Sequence, residues 1–83
     1  MLLKLEEWNG VLDYATSAFN ILKDEGVNCT MNTYRALSGG KGISFRLVDK
    51  YGDLHEIFST GVWPTSEEYI KAIDSMAKRI RLA

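Results

Sequence analysis

The sequence predicts an α+β domain in the order α-β-β-β-α, a three-stranded antiparallel sheet with two amphipathic helices packed on it. Three observations carry that expectation. Apolar residues recur at the spacing of a helix face near both ends of the chain. An alternating hairpin occupies the middle, and each change of period falls at a glycine, a proline or a capping sequence. The 83 residues make one domain, 1–83, near the size at which a single core is barely sufficient.

The first helix is expected over Leu3–Glu25. Leu5, Trp8, Leu12, Ala15, Phe19 and Leu22 follow at steps of three and four, and Val11, Tyr14, Ala18 and Ile21 form an adjoining stripe. Together they span an apolar arc of roughly 160° on a helix. Asp13, Thr16, Ser17, Asn20 and Asp24 take the polar side, and Gly26 suits the residue just past the helix end. Gly10 is the weak point, costing about 1 kcal/mol relative to alanine. A competing reading makes Leu2–Trp8 a strand and opens the helix at Asn9. The unbroken register of Leu5 and Trp8 with the stripe favours one helix.

Val27–Leu37 reads as a first strand without a clean period, and Ser38-Gly39-Gly40-Lys41-Gly42 as a turn or flexible loop. Ile43, Phe45 and Leu47 alternate with Ser44, Arg46 and Val48 in a second strand, and Leu54–Ser59 returns. Between them, Asp49-Lys50-Tyr51-Gly52-Asp53 suits a type I turn closed by a left-handed Gly52. That register sets Arg46 against Glu56, Phe45 against Ile57, Leu47 against His55 and Val48 against Leu54. Ile43, Phe45, Leu47 and Ile57 then face the core, with Phe45 beneath Phe19 and Ile73. Val48, Leu54 and Phe58 dot the outer face.

Gly61-Val62-Trp63-Pro64 breaks the sheet, and Thr65-Ser66-Glu67-Glu68 is a capping box for a second helix over Ser66–Leu82. Tyr69, Ile70, Ile73, Met76, Ala77 and Ile80 form its apolar face. Glu67–Lys71 and Asp74–Lys78 are favourable pairs on the other side.

Composition narrows the function classes. A net charge of −1 gives no dominant field toward nucleic acid or membrane. The single Cys29 has no internal disulfide partner, which places the chain in a reducing, cytoplasmic setting. Met1-Leu2-Leu3-Lys4-Leu5 is too short an apolar run for a signal segment, and no stretch reaches the ~20 apolar residues of a membrane span.

The chemistry-bearing residues do not assemble into a reaction centre. Gly39-Gly40-Lys41-Gly42 lacks the outer glycine and the hydroxyl of a P-loop, and a strand comes after it. His55 with Asp53 offers two metal ligands where three or four are needed. Cys29 has nothing electropositive around it in sequence, so a half-buried structural thiol outweighs a Cys29–His55 nucleophile and base. Asp49 and Asp53 flank a turn that favours aspartate. We therefore expect no catalytic residues, no metal and no cofactor.

Lys78, Arg79 and Arg81 cluster at the chain end, and with Lys41 they are the residues a small RNA- or DNA-binding module would use. Cations at a helix C-terminus also complement its dipole, which is the stronger account. The element order resembles that of the double-stranded RNA-binding domain over most of the chain. That family presents lysines at the start of its second helix, where Thr65-Ser66-Glu67-Glu68 stands here, so the resemblance extends to architecture and not to RNA binding. In size and character the chain is also similar to the single-domain inhibitors that phages and mobile elements use against host machines.

The first expectation is thus a non-catalytic protein-binding regulator or inhibitor that works by surface occlusion. Excess apolar surface makes a homodimer the expected form, with Tyr14, Val48, Leu54, Phe58 and Trp63 as partner-binding residues. A nucleic-acid module is the second reading, and an accessory subunit of an enzyme the distant third.

Overall fold

The computed structural model of the protein describes residues 3–82. Its elements are α1 (Leu5–Asp24), β1 (Cys29–Arg35), β2 (Lys41–Val48), β3 (Leu54–Ser59) and α2 (Ser66–Leu82). The sheet is antiparallel in the order β1-β2-β3, and the fold is α+β as the sequence predicts. Both helices lie on one face of the sheet. Trp8 meets Tyr69, Tyr14 meets Asp74 and Glu25 meets Arg81, so residue numbers rise together along both axes and the helices run parallel.

Gly10 lies inside one continuous α1, which removes the strand reading of the segment up to Trp8; Met1 and Leu2 lie outside the described residues. The buried line is rotated from the expected one. Trp8, Val11, Ala15 and Leu22 are buried, Leu12, Ala18 and Phe19 are partly so, and Leu5 is 68% exposed. Val11, from the adjoining stripe, replaces Leu5 because α1 stands over β1 while also touching α2. The helix ends in a Schellman arrangement. Gly26 N–H donates to Lys23 O and Val27 N–H to Leu22 O, each at 3.0 Å, with Gly26 at φ +86°. In α2, Ala72 joins the buried set while Ile70 is half-buried. The Thr65 hydroxyl accepts the Glu68 N–H at 3.4 Å.

Two turns of the same kind build the sheet. At Asp49–Asp53 the Gly52 N–H donates to Asp49 O and the Asp49 N–H to Asp53 O, with Gly52 left-handed at φ +85°. This is the predicted turn. At Ala36–Gly40 the pattern repeats with Gly39 at φ +89°, so of the two readings of this segment, turn or flexible loop, the structure shows a closed hairpin turn.

The β2–β3 register holds for Val48–Leu54, Leu47–His55 and Arg46–Glu56 at their Cα positions; the Glu56 side chain lies outside the described ones. It then slips. Phe45 pairs with Phe58, not with Ile57, because Ile57 is the extra residue of a bulge. That insertion reverses the facing of the rest of the strand, so Phe58 turns inward. It packs half-buried against the core with the Arg79 guanidinium 4.9 Å from its ring centre. Phe58 is therefore corrected from the outer face to the inner one.

On the outer face Tyr34 pairs with Gly42 and lies across it, its hydroxyl donating to Thr60 O. A Cβ on Gly42 would collide with the Tyr34 ring, so any larger residue there must push the half-exposed tyrosine off the strand that it covers. Thr60 continues the ladder beyond β3: its N–H donates to Ile43 O at 2.8 Å and its Oγ1 accepts the Ile43 N–H at 2.7 Å.

Phe45 is fully buried at the sheet centre, so Phe45→Ala should lower stability by about 3–5 kcal/mol in chemical denaturation. Exposed Lys50→Ala should be nearly silent; equal midpoints for the two would refute a core centred on Phe45. Gly42→Ala should cost about 1–3 kcal/mol in the wild type by crowding Tyr34. It should cost far less in a Tyr34→Ala background, and equal losses in both backgrounds would show that the tyrosine is not what demands the glycine.

Candidate functional site

The end of the molecule where both helices begin gathers most of the unexplained features. Tyr69, in the first turn of α2, is buried, and its hydroxyl donates to Lys41 O at 2.8 Å while accepting the Trp63 N–H at 3.2 Å. Its ring stands edge-to-face with Trp8 at 5.5 Å and with Trp63 at 5.4 Å between centroids. Lys41 Nζ lies 5.8 Å from the Trp8 ring centre.

Two open hollows flank this aromatic group and share Trp8 and Lys41. One, of about 200 Å³, is walled by Leu3, Leu5, Gly39, Gly40 and Tyr69. The other, of about 320 Å³, lies between α1 and the edge strand β1 and is lined by Leu12, Thr33, Tyr34 and Arg35. Leu5, in the wall of the first hollow, is exposed, and so is Leu37, in the turn whose Gly39 and Gly40 line that hollow. These apolar side chains face solvent although buried aromatic surface lies beside them.

The residues singled out for partner binding are not brought together. Trp63 belongs to the aromatic group. Tyr14 stands midway along α1, where its hydroxyl donates to Asp74 Oδ1 at 2.7 Å; that bond and the neighbouring carboxylate push its phenol above the usual value. Half-buried Val48 and exposed Leu54 lie beside the distal turn, and Phe58 lies inward under Arg79.

The nucleic-acid set is divided as well. Arg81 makes two hydrogen bonds to Glu25, at 2.8 and 3.2 Å, and Arg79 covers Phe58, leaving only exposed Lys78 without a described contact at that helix end. Neither expected set includes Trp8, Tyr69 or Arg35. The signal for Arg35 lies in its strand: Cys29, Met31, Thr33 and Arg35 alternate onto one face.

Cys29 and His55 form no dyad. They occupy one cross-strand row with Leu47 between them, which separates them by about 10 Å of sheet. Burial pushes the Cys29 thiol up, with Lys23 pulling weakly the other way. His55 Nε2 lies 2.7 Å from Asp49 Oδ2, not beside Asp53. Among the described residues no group of three or more His, Cys, Asp or Glu side chains is placed to hold a metal. No described helix is long and apolar enough to cross a membrane.

Comparison with protein-family models, with curated proteins and with solved structures returns no match.

Asp49 organises the distal turn. Its Oδ1 accepts the N–H groups of Tyr51 and Asp53, each at 2.9 Å. The His55 bond first, and these amides with it, hold its carboxyl below the usual aspartate value. A carboxyl depressed in the folded state contributes stability above its unfolded pKa and loses it as pH falls through the folded one. The amide resonances of Tyr51 and Asp53 should therefore move together only below the ordinary aspartate range, and Asp49→Asn should abolish that transition. A midpoint at or above the ordinary value would show that these bonds do not hold the carboxylate.

Proposed function

We propose that the protein is a non-catalytic binding module that regulates or inhibits another protein by covering part of its surface. The observation that carries this reading is the open hollow at Trp8, Lys41 and Tyr69, with exposed Leu5 in its wall and exposed Leu37 in the turn whose Gly39 and Gly40 line it. Scattered exposed leucines are ordinary, but an open apolar hollow with an exposed leucine in its wall and a lysine at its edge suits contact with another protein. The chain-end cations support a nucleic-acid role less well, since Arg79 and Arg81 are engaged within the molecule.

Self-association would use a different surface. Tyr14, Ala18 and the half-exposed Ile21 line a groove of about 180 Å³ with Asp74, Ala77 and Arg81, and exposed Tyr14 and Ile21 give it apolar surface for a second copy. This is the homodimeric form of the reading, and Ile21→Glu should abolish any dimer seen by sedimentation.

The immobilised protein should retain a protein partner in stoichiometric amount through high-salt washing. A Leu5→Ser, Leu37→Ser variant should lose it while unfolding within about 0.5 kcal/mol of the wild type, as exposed substitutions do. Retention of RNA or DNA that salt removes, with no protein, would overturn the reading in favour of a nucleic-acid module.

A further inference from the structure

The helix-facing side of the sheet changes character toward the aromatic end. Its successive β1–β2 rows are Cys29–Leu47, Met31–Phe45, Thr33–Ile43 and Arg35–Lys41. The first two rows are apolar and the third half so. The last sets two cations directly opposite each other, with Cβ atoms about 5 Å apart in such a pair. Like charges so placed repel. Among the described residues neither has a carboxylate within ion-pair distance, whereas Arg81 and His55 each have one. Lys41 has the Trp8 ring beside its ammonium but no carboxylate, and an anion between the two side chains would convert the repulsion into attraction.

The surroundings specify what carries the anion. Arg35 and Lys41 line the hollow between α1 and β1, over Trp8 and Leu12. Lys41 and Trp8 also border the more apolar hollow of Leu3 and Leu5. A charged position thus lies beside an apolar one across a shared wall. Trp8 and Tyr69 are only 6% and 2% exposed and meet edge-to-face, so neither presents a free ring face for a nucleobase. Glu6 and Glu7 of α1 and Glu67 and Glu68 of α2 stand in the helix turns at this same end. None of these acids lines either hollow, and an extended run of phosphates would have to pass more of them than a single carboxylate on the cation row.

We infer that the double hollow binds a protein segment in which a carboxylate sits next to a large apolar side chain. The carboxylate bridges Arg35 and Lys41, and the apolar side chain fills the space between Leu3, Leu5 and Trp8. This rests on the protein-binding reading and adds the chemistry of the partner's anchor.

The test uses amide chemical shifts of the full chain titrated with three probes: the blocked pentapeptide Leu-Glu-Phe-Asp-Leu, its Gln/Asn isostere, and an oligothymidylate. The acidic peptide should move the amides of Thr33, Arg35, Gly40 and Lys41, and the isostere should bind at least about tenfold more weakly. Arg35→Gln and Lys41→Gln should each weaken the acidic peptide, while their thermal midpoints equal or exceed that of the wild type because a repulsion is removed. Leu54→Ser, at the distal end, should leave binding unchanged. Equal binding of the isostere, tighter binding of oligothymidylate at the same amides, or no shift with any probe overturns the inference. If the Arg35→Gln, Lys41→Gln double variant still retains a protein partner that Leu5→Ser, Leu37→Ser loses, the anchor is wrong and the wider reading stands. If the wild type retains no protein, both fail.

Discussion

Tyr69 is the residue on which the arrangement depends. It is buried, yet its hydroxyl satisfies two backbone groups from separate segments, Lys41 O at the start of β2 and the Trp63 N–H in the connection after β3. Its ring contacts Trp8 of α1 and Trp63. One side chain thus sets the height of α2 above the sheet, the path of the chain entering it and the position of α1. A phenylalanine there would keep the ring contacts and leave a partly buried carbonyl and amide to find other partners, at up to about 1–3 kcal/mol for such a group. The two hollows open where this cluster meets the sheet end, so their shape depends on the same side chain.

The fold is largely legible in the sequence because its signals are local. Helix spacing, Gly26, Gly52 and the Thr65 cap each act within a few residues, and each falls where expected. The parts that are not legible are set by tertiary contacts. Ile57 is bulged only in the context of its pairing with β2, and nothing in Leu54–Ser59 alone distinguishes a regular strand from one with an extra residue. That single insertion moves Phe58 from outside to inside. Likewise the centre of the α1 face shifts toward Val11 because the helix must satisfy β1 and α2 at once, which periodicity on one helix cannot reveal.

The candidate site is less legible than the fold. In sequence Lys41 reads as part of a connecting loop, and the closed turn at Ala36–Gly40 makes it instead the first residue of a strand. Arg35 carries only the weak signal of its alternation with Cys29, Met31 and Thr33, in a strand whose apolar pattern has no clean period. Only the register against β2 shows that the two belong to one row. Trp8 and Tyr69 read as core residues and are core residues; what the sequence does not show is that the core ends at them, with open space beyond.

The parallel run of the two helices bears on how the chain acquires its structure. Tyr14 and Asp74 are 60 residues apart in sequence, and Glu25 and Arg81 are 56 apart. The apolar stripe of α1, made first, has its cover completed only when the last element docks. The β-hairpins can close early, since their pairings span short loops, but the helical layer waits for the longest-range contacts in the molecule. Folding should be rate-limited by docking of α2, and until then the apolar side of α1 stands open, during synthesis, to a chaperone or to another copy of itself.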